Sequence, residues 1–288
     1  MKVGIFGSEY QEGKQSLIKH LFEKLYALEA EVHVDTAFYT FLADRLHYTP
    51  PVKGLLTEAE PLELDLALSV GGDGTFLRTA ARINKQHIPI LGINTGRLGF
   101  LADISSSEIE GTLEEISKNY FRIEERSLLH LRMGNDDHYA LNEIAIMKRD
   151  TSSMITIHTR LDGEYLTSYQ ADGLVVATPT GSTAYSLSVN GPIIAPQSHS
   201  FVLSPIAPHS LNVRPLVIPD TIEIRLQVES RNDTYLIALD GRSSVCSVGE
   251  EITVGKAQHT VKVVKRHNHT FYETLREKLM WGADVRRK

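Results

Sequence analysis

A change of hydrophobic period near residue 118 constrains this 288-residue chain more than any other feature. Ahead of it, strand and helix signals alternate: KVGIF, a helix from about Lys14 to Leu28, EVHV, a weaker helical stretch from Ala37 to Leu46, LDLALSV and IPILGIN. Such alternation predicts βαβ units around a parallel sheet. Leu17, Ile18, Leu21, Phe22, Leu25 and Tyr26 share one helical stripe and are expected to face the core. Residues 47–62 carry three prolines and no period, so they read as a surface loop. Ser107, with Glu110 three residues on, reads as a capping box opening a helix through about Lys118.

Beyond the change, RIEERSLLHLRM, HYALNEIAIM, MITIHTRL, GLVVATP, TIEIRLQV and HTVKVVK are short and alternate with period two. The turn pairs Asn135-Asp136 and Asp162-Gly163 separate some of them. FYETLREKLMW returns to helical spacing through Tyr272, Leu275 and Leu279. The expected division is an α/β domain over 1–118, a β-rich domain over 119–268 and a C-terminal helix over 269–288 that packs back on the first domain.

Composition narrows the class. With 42% hydrophobic and 23% charged residues, a soluble chain with a real core is expected. No run approaches the ~20 apolar residues of a membrane helix. The start, MKVGIFGSEYQEGK, lacks a secretory pattern, so the expected location is cytoplasmic. A single cysteine, Cys246, excludes a disulfide framework and a multi-cysteine metal cage. The net charge of -6 argues against non-specific nucleic-acid binding. Small anionic ligands stay open, because backbone N–H groups, a few arginines or a divalent cation bind them without marking the net charge.

Gly7 to Lys14 resembles a P-loop and fails it: five residues separate Gly7 from Gly13, and Gln15 replaces the Ser/Thr that touches magnesium. GGDGT at 71–75 follows an apolar strand and precedes a helical run, which places it at the carboxyl end of a parallel strand, where open α/β sheets bind ligands. Its glycines let a phosphate approach backbone N–H groups. Asp73, which repels phosphate, is left free either to hold magnesium or to act as general base toward a hydroxyl; a plain turn with a solvated Asp is the bland alternative. Residues 171–188, ADGLVVATPTGSTAYSLS, gather Thr178, Thr180, Ser182, Thr183, Tyr185, Ser186 and Ser188 around Gly181, offering hydroxyls to ribose, phosphate and base edges. Asn142-Glu143 puts an amide and a carboxylate on opposite faces of a strand. INTGRLGFLA at 93–102 is a glycine-punctuated turn with Arg97 as a candidate phosphate contact. His267 and His269 lack a third ligand and read as a solvated polar run.

On GGDGT, INTGRLGFL at 93–101, LNE at 141–143, and ADG followed by TPTGSTAYSLS at 171–188, the chain resembles the NAD kinases, enzymes that phosphorylate the adenosine 2′-hydroxyl of NAD to give NADP. The last stretch is the most specific; GGDG is shared with phosphofructokinases and with diacylglycerol and sphingosine kinases. The resemblance implies a Rossmann-like N-terminal domain, a C-terminal β-sandwich, a cleft between them, and homodimers or homotetramers. It implies ATP as phosphoryl donor with a divalent cation, Mg²⁺ or Mn²⁺. By the family pattern Asp73 is the proton acceptor, Gly74 lies beside the ligand and Arg78 faces phosphate. Asn142 and Glu143 contact the nucleotide, Asp172 its nicotinamide-side ribose or amide, and Thr183, Ala184, Tyr185, Ser186, Leu187 and Ser188 the adenosine part. Ser153 and Thr180 join the nucleotide-binding set. Gln170, where some relatives carry Arg, and Arg242, where many carry Gln, are departures at ligand-contact positions. A diacylglycerol-type lipid kinase shares GGDGT but predicts an apolar substrate slot; a silent dinucleotide-binding regulator differs only in an assay.

Overall fold

The computed structural model describes residues 1–11, 13–58, 61–96, 99–149 and 153–282. The elements in order are β1 (Lys2–Gly7), α1 (Gln15–Ala27), β2 (Glu31–Asp35), α2 (Thr36–Asp44), β3 (Gly54–Leu56), β4 (Leu66–Gly71), α3 (Asp73–Ile83), β5 (Ile90–Asn94) and α4 (Ile109–Ser117). There follow β6 (Arg122–Met133), β7 (Asp136–Ala140), β8 (Glu143–Lys148), β9 (Ile155–Leu161), β10 (Glu164–Ala171), β11 (Gly173–Ala177) and α5 (Tyr185–Ser188). The chain ends with β12 (Ser200–Ile206), β13 (Leu216–Pro219), β14 (Ile224–Glu229), β15 (Thr234–Leu239), β16 (Arg242–Ser247), β17 (Ile252–Lys265) and α6 (Phe271–Leu279). They fall into two compact units, Met1–Glu125 with Val261–Lys288, and Arg126–Thr260. The division follows β17, a strand long enough to begin in the second unit and end in the first.

In the first unit the sheet runs β3-β2-β1-β4-β5, with the end of β17 beside β5, and every pairing is parallel. Every residue of β4 is buried, the burial expected of a parallel strand covered on both faces. Ile18, Leu21, Phe22 and Leu25 of α1 are fully buried with Val3, Ile5 and Leu68, as the stripe predicts. The chain steps from β1 out to β2 and β3, then returns to β4 on the other side of β1. That reversal is a topological switch point, and the crevice outside the carboxyl ends there is where open α/β sheets bind ligands. Gly7 and Gly71 end the two strands.

Three local expectations are corrected. The capping box is Ser105 with Glu108, opening a 3-10 turn at Ser106–Glu108 before α4, not Ser107 with Glu110. Residues 47–62 are not wholly loop, because β3 adds three residues to the open edge of β2. On α6 the buried residues are Thr274 and Leu275, while Tyr272 is 62% and Leu279 36% exposed. Phe271 is the aromatic that packs, its ring 6.3 Å from that of Phe100.

The approach to α6 is anchored by ions. Asp103 is buried and accepts from Lys265 Nζ and from His269 Nδ1, the latter at 3.1 Å. Burial alone would push the Asp103 carboxyl up, but the Lys265 charge and the two side-chain donors hold it below its ordinary range. The hydrogen bond to Asp103 pushes the His269 imidazole up against the opposing effect of burial. His269 is therefore not the solvated residue expected from the sequence; His267 is exposed, its ring centre 4.5 Å from that of Tyr120 and tilted 45° to it.

The second unit is an antiparallel sandwich. One sheet carries β10-β9-β14 and the start of β17, with the β6–β7 hairpin; the other is β13-β12-β11-β8-β15-β16. Their inward residues, among them Leu129, Ile157 and Leu226 from the first and Ile144, Leu174, Phe201 and Tyr235 from the second, form one core. The β9–β10 hairpin turns through Asp162 and Gly163, both at positive φ (48° and 83°), the conformation a two-residue hairpin loop demands. Register brings three motif segments to one sheet end, since Glu143 opposes Ala177 and Ile144 opposes Leu239.

Candidate active site

In the first unit β4 ends at Gly71, Gly72 caps α3, and Asp73 is its first residue. The three glycines do different work. Gly71 has φ 156°, and a Cβ there would lie 2.3 Å from Thr75 Oγ1, so packing and conformation both require it. At Gly72 and Gly74 a Cβ would meet nothing within 4 Å and φ is not in the left-handed region. Neither packing nor conformation explains those two, which leaves backbone open to a ligand.

Asp73 is not free, contrary to the reading from sequence. Its Oδ2 accepts the Phe100 N–H at 2.9 Å, and its Oδ1 accepts those of Leu101 and Ala102 at 3.0 Å each. Lys278 Nζ stands 3.6 Å from Oδ2 and 4.6 Å from the centre of the Phe100 ring. The reason is the INTGRLGFLA turn: Asn94 Nδ2 donates to Ala102 O, Asn94 Oδ1 accepts from Gly96, and the folded-back loop aims three successive amides at the start of α3. Arg78 holds Thr75 Oγ1 at 3.4 Å and lines a cavity of about 340 Å³ with Gly7, Asp35, Thr75 and Arg82. Arg97 lies outside the described residues.

In the second unit the site is built around Asp240, a residue the sequence reading did not single out. Asp240 Oδ2 accepts the Leu141 N–H at 2.8 Å, and Oδ1 accepts those of Asn142 and Glu143 at 2.8 and 3.2 Å. Burial pushes the Asp240 carboxyl up, and the three amides oppose that. Asn142 and Glu143 are both buried, so the expected opposite faces of a strand do not separate one from solvent. Burial first, then the Asp240 charge, push Glu143 up to about 7, with the Tyr185 N–H partly offsetting them. Among the described residues, Asn142 Oδ1 and Glu143 Oε2 are buried acceptors without a hydrogen-bond partner.

The hydroxyl-rich segment divides in two. Thr178 Oγ1 donates to Leu141 O at 2.6 Å and accepts from Gly181; Ser182 bridges Pro179 O and the Ile194 N–H; Ser186 pairs with Ser204 at 3.0 Å. These buried hydroxyls brace the turn rather than face outward. A Cβ on Gly181 would lie 2.1 Å from Asn142 O, so glycine is what lets the Thr180–Thr183 turn press onto the Asn142 backbone. Thr183, Ala184, Tyr185 and Leu187 are half-buried and Ser188 is exposed, with Thr183 Oγ1 and Ser188 Oγ bonded only locally, to Thr180 O and Tyr185 O, among the described residues. Asp172, at the end of β10, faces Lys148 Nζ at 2.7 Å, a partner the sequence reading missed. Gln170 is exposed, Arg242 is exposed at the start of β16, and Ser153 is half-buried just ahead of β9. Among the described residues no three His, Cys, Asp or Glu side chains cluster as a metal ligand set. Nor is any helix among them long and apolar enough to cross a membrane.

Comparison with known proteins agrees with the geometry. Family models for the ATP-NAD kinase N-terminal domain and C-terminal domain match residues 3–121 and 141–266. An NAD kinase of Bacteroides fragilis is 53% identical over 291 aligned residues, covering 99% of this chain and 100% of that one. The crystal structure of yeast NADH kinase complexed with NADH superposes with a TM-score of 0.90 at 25% identity, covering 100% of this chain and 90% of that one. An NAD kinase from Archaeoglobus fulgidus in complex with ATP gives 0.79 at 28% identity, covering 97% and 99%. Matches of this extent and identity leave one assignment: the chain belongs to the NAD kinase family.

Proposed function

We infer that the chain transfers the γ-phosphoryl group of ATP to the adenosine 2′-hydroxyl of NAD, with Asp73 as proton acceptor. The 2′-oxygen forms a bond to the γ-phosphorus, the bond from that phosphorus to the bridging oxygen breaks, ADP leaves, and the hydroxyl proton passes to the Asp73 carboxylate. Phosphoryl transfer needs positioning and charge stabilisation more than covalent chemistry, which suits a site of glycines, amides and hydroxyls.

The observation that carries the reading is the pair of partnerless buried acceptors, Asn142 Oδ1 and Glu143 Oε2. A buried acceptor left unpaired is costly, and sugar hydroxyls supply the missing donors. Asp240 holds both residues by their amides, so they are presented rigidly. Asp172 takes the nicotinamide-side ribose or amide, Thr183 to Ser188 the adenosine part, and Arg78 a phosphate. Ser153, Thr180, Gln170 and Arg242 complete the nucleotide contacts. Mg²⁺ or Mn²⁺ would arrive on the donor's phosphates, as magnesium commonly does, and no step above depends on a protein-held metal. The cytoplasm, and assembly as homodimers or homotetramers, belong to the same proposal; sedimentation of the purified chain reads the latter.

A coupled assay of NADP formation tests it, run with ATP or polyphosphate and with NAD or NADH. Turnover with ATP and NAD is expected. A protein that binds NAD and never forms NADP would instead be a silent dinucleotide-binding regulator.

A further inference from the structure

The seat of the Asp73 carboxylate has the composition of a phosphoryl site. The Phe100, Leu101 and Ala102 amides point at one anionic group, and Lys278 adds a full positive charge 3.6 Å from it. Successive amides aimed at one point form the concave nests that hold phosphates in unrelated folds, and a carboxylate offers such a nest the same oxygen acceptors as a phosphoryl group.

The cradle does not depend on its present occupant. Asn94 pins the turn from both sides, Gly99 N–H closes it onto Ala102 O at 3.1 Å, and Ile104 N–H bonds Gly92 O at 3.2 Å. Lys278 is placed by its contact with the Phe100 ring, which in turn packs near Phe271 of the same helix. Beside Asp73, Gly72 and Gly74 leave open space that neither packing nor conformation accounts for. Three of the carboxylate's roughly four acceptor sites are taken by amides and Lys278 stands beside Oδ2, so a carboxylate that turns toward a substrate hydroxyl leaves those amides and Lys278 without an anion unless another takes its place.

We propose that this cradle binds a phosphoryl group of the nucleotide substrate, and that its arrival displaces Asp73 toward the acceptor hydroxyl. The displacement rests on Asp73 being the proton acceptor; the anion site itself does not. Seating of phosphate and release of the base then become one event.

The test is calorimetric titration of the full chain, without divalent metal, using sodium tripolyphosphate to represent the donor and NAD to represent the dinucleotide pyrophosphate. Asp73→Ala vacates the cradle and is expected to bind tripolyphosphate about 10-fold more tightly than wild type, with the gain removed in Asp73→Ala/Lys278→Met. A gain seen only with NAD assigns the cradle to the acceptor's pyrophosphate instead. Lys278→Met in the otherwise wild-type chain guards against misfolding of Asp73→Ala, and is expected to weaken the same probe about 10-fold. Affinities for both probes that ignore Lys278, or show no gain on removing Asp73, overturn the proposal. Because no turnover is measured, Asp73→Asn retaining NADP formation would remove the base and leave the cradle standing.

Discussion

A Cβ on Gly99 would lie 1.9 Å from Asp73 Oδ1, so the absence of a side chain at 99 is what admits the carboxylate to its amides. Gly99 is not at positive φ, and alanine there carries no backbone penalty of its own. Gly99→Ala is expected to eject the carboxylate and forfeit hydrogen bonds worth about 1–3 kcal/mol in all, since part of the loss is recovered by water. Urea unfolding reads the loss as a shifted midpoint at constant slope. An unchanged midpoint would show that the three amide contacts contribute nothing net.

Asp73→Asn keeps the shape of the side chain and removes its charge. If Asp73 accepts the hydroxyl proton, kcat should drop about 10²–10⁴-fold while KM for NAD stays near wild type. The coupled NADP assay decides this, and near-full turnover would exclude Asp73 from proton transfer.

Glu143 makes the stability of the second unit pH-dependent. Its carboxyl is raised from 4.5 to about 7, so between those values the folded chain keeps a proton that the unfolded chain has released. Stability from this group is therefore present below its unfolded pKa and is lost as pH rises toward 7. The full shift corresponds to about 3 kcal/mol. Glu143→Gln stays neutral throughout, and should exceed wild-type stability by up to about 3 kcal/mol above pH ~8 yet not below pH ~4. Thermal melts across that range test the sign; NAD binding should weaken, because one face of the amide is a donor where the carboxyl has an acceptor.

Asp103→Asn leaves the buried Lys265 ammonium without its counter-charge and is expected to cost about 3–5 kcal/mol. Adding Lys265→Met should recover much of that, because the penalty belongs to the unpaired charge. His269 adds a sign that can be checked: its imidazole is raised by Asp103, so its contribution is complete below its unfolded pKa and disappears as pH climbs through the folded one. The variant should show a flatter stability curve there, read by urea unfolding at stepped pH.

What the sequence made legible was local. The apolar strand ending in GGDGT, the α1 stripe and the period-two segments each have one physical reading, and the structure has those elements. The capping box was off by two residues because SSSEIE contains Ser-x-x-Glu in two overlapping registers, and only packing chooses between them. The partners of Asp73 lie far along the chain, in the turn at 100–102 and on a helix crowded with charge, where Lys278 looks like Arg276. Thr178, Ser182 and Ser186 could not be told from Thr183 and Ser188 by composition, although the first three brace the turn from inside. Asp240-Gly241 carries the signature of a hairpin turn, which hides the reach of its carboxylate to the strand beginning at Glu143.

Asp240 positions and does not react, and its variants should behave accordingly. Its carboxylate satisfies three amides across Leu141 to Glu143 and raises Glu143 by its charge. Asn at 240 keeps one accepting oxygen and turns a donor toward at least one amide, costing about 1–3 kcal/mol of stability. The segment bearing Asn142 and Glu143 then loses its fixed presentation, so KM for NAD should rise while kcat at saturating NAD falls far less than in Asp73→Asn. Removing the Asp240 charge should also shrink the high-pH advantage of Glu143→Gln over its parent, because Glu143 is then raised less. A kcat loss matching that of Asp73→Asn, with KM unmoved, would mean that Asp240 takes part in the chemistry itself.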